Sequence, residues 1–322
     1  MSPQGKERIK ILLKTIVSVI LMAWLVKTIE WGQIANLLRN ARLSWLLLAF
    51  LFVIISVLVS AYKWQLICRA SGLKCELKEL WKIYWCGLFF NNFMPSSIGG
   101  DALRIYWAGR YTGDATGTGT SVVVERVLAT VGLSFLGLLA APLVQIQVPY
   151  LKAFFIAMIL GSLFVLVLIL SPLSLLMSRL FAGFPKVTAL LNGLNTHGSR
   201  LRSQKGLIFM SLLWSVIFQF CVVMVNISIL HAFCVDRIAL LEACLIIPAT
   251  SVAAMIPIGI NGYGTREGAY AALFAYFGVN RAEAIAVSVV FALIVTISSL
   301  WGGWLWFRNE QNLKGQLFQA EA

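Results

Sequence analysis

Read as a pattern of apolar and polar positions, the chain is a series of long apolar runs separated by short basic segments. Six runs approach the roughly 20 residues needed to cross a hydrocarbon core: 9–26, 43–62, 127–143, 153–171, 206–230 and 284–307. The run 43–62 holds neither charge nor proline. The first run carries Lys10 and Lys14 near its basic end, where long side chains can reach the headgroups, and no small-residue cleavage site follows it. It is therefore expected to be a retained helix and not a signal peptide. Between the first two runs, "WGQIANLLRNARL" places Ile34, Leu37, Leu38 and Ala41 at helical spacing, which predicts a helix lying along the interface.

Two further apolar segments are interrupted. Residues 83–100 contain no charge but carry Asn91, Asn92, Pro95, Gly99 and Gly100. Residues 243–265 carry Pro248, Pro257, Gly259, Gly262 and Gly264, and a short apolar run, 268–280, follows. Irregular backbone survives at membrane depth only where protein or a wet cavity satisfies its N–H and C=O groups. Both broken helices are thus expected to face inward.

Composition agrees with this reading. Hydrophobic residues make up 60%, mean hydropathy is +0.86 and charged residues are 12%, against roughly a quarter in soluble domains. The expected fold is an all-α polytopic membrane protein: about six full spans plus two broken or re-entrant helical hairpins, in a single membrane domain covering 1–322. The formal charge of +13 lies in short segments between apolar runs, not in blocks interleaved with exposed aromatics. It therefore points to topology and anionic lipid and away from nucleic acid. With the N-terminus inside and each hairpin entering and leaving on one side, 18 Lys/Arg fall inside and 7 outside, with Arg126 at a helix entrance. This predicts a multi-pass protein of a prokaryotic cytoplasmic (inner) membrane with both termini cytoplasmic.

Under that topology, residues about 1–147 and about 148–322 pass through the same four elements in opposite orientation. The breaks correspond as well: "PSSIGGDALR" from Pro95 and "PIGINGYGTREG" from Pro257 each run proline, glycines, then an acidic residue close to an arginine. Such an inverted repeat places discontinuous helices around a substrate site near the midplane. Gly99, Gly100, Gly262 and Gly264 would let a ligand approach half-helix N-termini. Arg104 and Arg266 would grip one phosphate between them, and Asp101 and Glu267 would orient those arginines or bind an amine or a proton. A second reading stands beside this one: Asp101 caps its helix and pairs locally with Arg104, while Arg266 and Glu267 lie at an interface.

The segments "NNFMPSSIGGDALR", "SVVVERVLA" at 121–129 and "IPIGINGYGTREGAYAALFAYFGV" at 256–279 resemble the lysylphosphatidylglycerol synthase transmembrane-region family, the flippase-like domain. The resemblance runs over nearly the whole chain. It implies a lipid flippase, and the family's motif residues correspond here to Pro95, Gly99, Gly100, Asp101, Arg104, Glu125, Arg126, Pro257, Gly262, Gly264 and Glu267; together with Asn92 and Arg266, read from the breaks themselves, these are the expected substrate-binding residues. The sequence ends at Ala322 without the soluble synthase domain of fused members, so a stand-alone member handling an aminoacyl-phospholipid, a glycolipid or a polyprenyl-linked intermediate is expected.

Other chemistry finds little support. Cys68, Cys75, Cys86, Cys221, Cys234 and Cys244 form no C-x-x-C pair, and with only His197 and His231 neither a metal nor another cofactor is expected. His231 has no carboxylate at helical spacing and is expected at a membrane edge. The basic stretch 172–205 is expected to be an inside loop in contact with headgroups. Three function classes remain: a lipid flippase or scramblase, an intramembrane lipid-modifying enzyme using Asp101 and Glu267, and an ion-coupled small-solute carrier. The first is preferred; the enzyme reading is weakened because no nucleophile with an adjacent base can be named, while the carrier stays open because inverted repeats serve both. Membrane lipids are the expected partners, with room for a separate lipid-synthesising enzyme or glycosyltransferase and for homo-oligomers.

Overall fold

The computed structural model describes residues 31–93, 98–146, 148, 150–171, 185–255 and 264–320. The expected first span, Pro95, Pro257, Gly259 and Gly262 lie outside these residues. The described part is all helix and turn: α1 (Trp31–Arg39), α2 (Leu43–Ala70), α3 (Leu77–Phe93), α4 (Ile98–Thr112), α5 (Ala115–Ala140), α6 (Leu151–Leu170), α7 (Pro185–Ser203), α8 (Lys205–Ala232), α9 (Leu240–Met255), α10 (Thr265–Ala275) and α11 (Arg281–Ala320). Five helices are long and apolar enough to span: α2, α5, α6, α8 and the Arg281–Arg308 part of α11.

Two spans exceed their apolar runs. Helix α2 passes Tyr62 and continues to Ala70, burying Lys63, Trp64 and Gln65. Helix α5 starts at Ala115, where Asp114 accepts the Gly117 N–H at 2.7 Å, so Arg126 sits deep in a helix and not at an entrance. Hydropathy truncates both helices because it prices Lys63, Glu125 and Arg126 as isolated charges, whereas the fold pairs them. Removing the buried Lys63 and Arg104 from one side of the Lys/Arg count, and Arg266 from the other, leaves its bias intact.

Helices α2 and α8 pack antiparallel along their length. The Arg42 N–H donates to the Ala232 carbonyl at 2.9 Å, and Ser211 Oγ donates to the Lys63 carbonyl at 3.4 Å, which fixes the register at both ends. Beside this pair, α3 and α4 fold back on each other, with Gly87 against Arg104 and Gly100, and the Gly100 N–H on Asn91 Oδ1 at 3.0 Å. At 17 and 15 residues, neither reaches spanning length. Helices α9 and α10 form the second interrupted pair. Within α9, Thr250 and Ser251 hydroxyls both donate to the Ile247 carbonyl beside Pro248, in keeping with polar side chains supporting a broken helix. Helix α3 packs on α11 and α9 on α5; α4 packs on α5 and α10 on α11.

Close helix approach relies on small residues, as expected where lipid supplies no hydrophobic contrast. A side chain at Gly302 would strike the Trp85 carbonyl, and one at Gly303 the Phe89 ring at 2.7 Å. Part of the expected 172–205 loop is helix α7, which His197 and Arg200 tie to the Ser71 carbonyl while His197 also reaches Asp114 at 3.0 Å. His231 packs against Trp45 with the rings tilted by 35° and meets a carboxylate after all: Asp236 lies 3.1 Å away, delivered by the following loop and not by helical spacing. In α1, Leu37 rests with Ala41 on the main core while Leu38 stays exposed.

Cys234 is exposed at the end of α8, whereas the other five cysteines are buried. In intact cells an impermeant maleimide should label Cys234 in the otherwise native chain, and a Ser199→Cys substitution should add no label until the membrane is permeabilised. Labelling of Ser199→Cys from outside would reverse the assigned orientation.

Candidate functional site: a buried ion network beside a broken helix

Three helices bring five charges together. Lys63 from α2 and Arg104 from α4 flank Glu125 of α5, with Lys63 Nζ to Oε1 at 2.8 Å and Arg104 Nη2 to Oε2 at 2.9 Å. All three side chains are within 2% of full burial. Arg104 also reaches Asp101 Oδ1 at 3.2 Å, and Asp101 is held in turn by a bidentate fork from Arg126, whose Nε and Nη2 each lie 2.8 Å from a carboxylate oxygen. The Arg104 guanidinium lies 4.2 Å from the Trp64 ring centroid and 4.3 Å from that of Tyr84, so aromatic faces supply contacts that water would otherwise give. Three cations against two carboxylates leave one positive charge in excess. Arg126, 38% exposed, is the open edge of the network.

The second broken segment builds a smaller cluster. Glu267 Oε2 accepts the Gly264 N–H at 2.6 Å and so caps α10, while Oε1 accepts from Ser288 Oγ at 3.1 Å and Arg266 Nη2 at 3.2 Å. Gly264 has a φ of +87°, a conformation that favours glycine because it has no Cβ. One turn on, the Tyr270 hydroxyl donates to Asn226 Oδ1 at 2.6 Å. Glu267 thus has a structural role, capping α10 and meeting α11 through Ser288, which is closer to the interface alternative than to a carboxylate waiting for substrate.

The described interactions stay within each cluster, and two rulers separate them. Lys63 meets α8 at Ser211 and Tyr270 meets it at Asn226, 15 residues further along or about 22 Å at 1.5 Å per residue. On α11, Gly302 lies against Cys86, next to the Gly87 that touches Arg104, while Ser288 lies 14 residues away, about 21 Å. The arrangement therefore gives Arg104 and Arg266 separate carboxylates at different depths, where the sequence suggested one shared phosphate. Gly100 also has a different use from the one expected. A Cβ there would run into the Gly87 carbonyl and the Asn91 amide, so this glycine permits helix contact and leaves no room for a ligand. Gly99 is half-buried, and Asn92 Nδ2 donates to Ser299 Oγ at 3.0 Å, tying the hairpin to α11.

A model of the lysylphosphatidylglycerol synthase TM region matches residues 11–302. The chain belongs to that family. A UPF0104 membrane protein of Pyrococcus horikoshii is 25% identical over 309 residues, covering 86% of this chain and 91% of the relative. A UPF0104 membrane protein of Methanocaldococcus jannaschii is 33% identical over 129 residues, 38% of each chain. No solved structure matches the chain. Within this family member, the network residues that sequence reasoning missed are Lys63, Trp64 and Tyr84. The signal for Lys63 and Trp64 was the absence of any turn residue between the apolar run and Ser71–Gly72, which lets the helix carry both inward; Tyr84, on α3, had no comparable local signal.

Two outcomes follow from the geometry. Glu125→Gln strands Lys63 and Arg104 in the interior and should cost about 3–5 kcal/mol, read as a large drop in thermal stability in detergent. Lys63→Met should cost less and should restore part of the stability lost by Glu125→Gln; equal and additive losses would contradict a shared network. Gly100→Ala should lower the melting temperature by forcing α3 and α4 apart, at the ~1–3 kcal/mol typical of overpacking, whereas unchanged stability would mean that the hairpin is not packed as described.

Proposed function

We propose that the protein moves an anionic, phosphate-bearing lipid between leaflets, passing the headgroup along its broken hairpins while the acyl chains stay in the bilayer. The observation that carries this reading is Arg126. It lies 11 residues into α5, about 17 Å from its first residue, yet its side chain is 38% exposed and, among the described residues, its guanidinium is bonded along one edge, to Asp101. A half-exposed arginine at that depth is expensive unless it faces water or an anionic group, and its planar fork suits phosphate oxygens.

The paired contacts of α3 with α11 and α9 with α5, and of α4 with α5 and α10 with α11, support two inverted repeats of four elements each. In this reading each repeat holds one polar station, the network at Asp101–Arg126 on the basic, cytoplasmic side and the Arg266–Glu267 cluster on the other. A headgroup then visits the stations in turn and is not clamped by both. Transport, not catalysis, is the role assigned.

The test is reconstitution into vesicles containing labelled phosphatidylglycerol. Native protein should accelerate its exchange between leaflets, and Arg126→Gln should slow exchange at least tenfold, the loss of one charge-assisted interaction, while melting close to native. A change in lipid mass would instead indicate an enzyme, solute uptake without lipid exchange would indicate a carrier, and full activity in Arg126→Gln would remove the arginine from the path.

A further inference from the structure

A second basic site lies apart from the ion network. Between α3, α4 and the last turn of the apolar part of α11, at Leu305 and Arg308, is a cavity of about 760 Å³, well within the range of small-ligand sites. Its wall carries Lys78, Lys82, Arg110 and Arg308 against one acid, Glu79. Glu79 is engaged by Lys82 at 2.6 Å. Arg110 donates to the Tyr106 hydroxyl at 3.2 Å and Arg308 lies 5.3 Å from the Trp304 ring centroid; among the described residues neither meets a carboxylate. The cavity's described lining therefore gathers a net charge of +3, with two guanidinium groups that meet aromatic partners and, among the described residues, no carboxylate.

Its remaining surface is mostly apolar. Trp107 lines the cavity and stacks on Trp306 at 4.5 Å with the ring planes 9° apart, beside Ile83, Cys86, Tyr111 and Leu305. Tyr106, one turn before Arg110 on α4, and Trp304 and Phe307, flanking Leu305 on α11, are exposed aromatics, a residue type enriched at the level of lipid headgroups. Cations above an apolar wall at that level match an amphipathic anion.

We propose that this cavity binds the phosphate diester headgroup of an anionic lipid, with Arg110 and Arg308 as its principal ligands and Lys78 as a supporting charge. A soluble phosphate ester shares the chemistry of the head but has no acyl chain for the apolar rim. The site's place as a loading position for transport rests on the function proposed above; binding itself does not.

The experiment titrates the purified full chain in detergent with phosphatidylglycerol in mixed micelles, and separately with glycerol 3-phosphate, following tryptophan fluorescence and the lipid adducts seen by native mass spectrometry. Arg110→Gln/Arg308→Gln should weaken phosphatidylglycerol binding at least about tenfold, as expected for losing charge-assisted contacts, and each single variant about threefold or more. Lys74→Gln/Lys152→Gln, which removes the same charge elsewhere on the surface, should bind as the native protein does. Unchanged binding in the arginine variants, or equal weakening by the control pair, would overturn the site. Glycerol 3-phosphate binding as tightly as the lipid would overturn its assignment to a lipid headgroup. If these arginines prove necessary for binding while vesicles show no lipid exchange, the transport reading falls and the binding site stands.

Discussion

Glu125 is the constraint on which the first hairpin depends. It sits inside a spanning helix with both oxygens committed, one to Lys63 and one to Arg104, and that pairing permits a lysine and an arginine to be buried alongside it. A buried ion pair gains little stability over a well-packed apolar alternative, yet losing one member is costly because the other charge is left in a low dielectric. The network consequently fixes where α4 must lie relative to α2 and α5. The aromatic faces of Trp64 and Tyr84 and the small residues Gly87 and Gly100 then follow from that placement.

From this frame the chemistry divides in two. The inner part of the network, Lys63, Glu125 and Arg104, is closed: each charge has a near partner and almost no exposure. The outer part, Asp101 and Arg126, is partly open, and the whole carries one excess positive charge. A ligand anion can compete with Asp101 for the Arg126 fork without disturbing the inner trio. The closed inner part and the open edge thus share one carboxylate, Asp101, through Arg104 and Arg126.

Much of the architecture was legible in the sequence. The runs beginning near Leu43, Ala153, Gly206 and Ala284 all became spanning helices, and the broken segments became the interrupted pairs α3–α4 and α9–α10, because helical apolar length and proline or glycine interruption are local properties. The extent of α2 and α5 was not legible, since Lys63 and Glu125 look like ends until their partners from other helices are known. At the candidate site, "GGDALR" drew attention to Asp101 and Arg104, and the likeness to a family pointed to Glu125 and Arg126. The similarity of the two breaks suggested a single phosphate held by Arg104 and Arg266; their depth depends on how α8 and α11 run past each hairpin, which no motif encodes. Ser288 and Asn226 were invisible for the same reason, being ordinary residues on long helices that become polar partners only through packing.

The most direct measurement of the central claim is a cryo-electron microscopy structure of the protein in nanodiscs containing phosphatidylglycerol. The account predicts phosphate density within hydrogen-bonding distance of the Arg126 guanidinium, with Lys63 and Arg104 still paired to Glu125. Arg126 packed against acyl chains or fully enclosed by protein, with no phosphate near it at any lipid concentration, would contradict it.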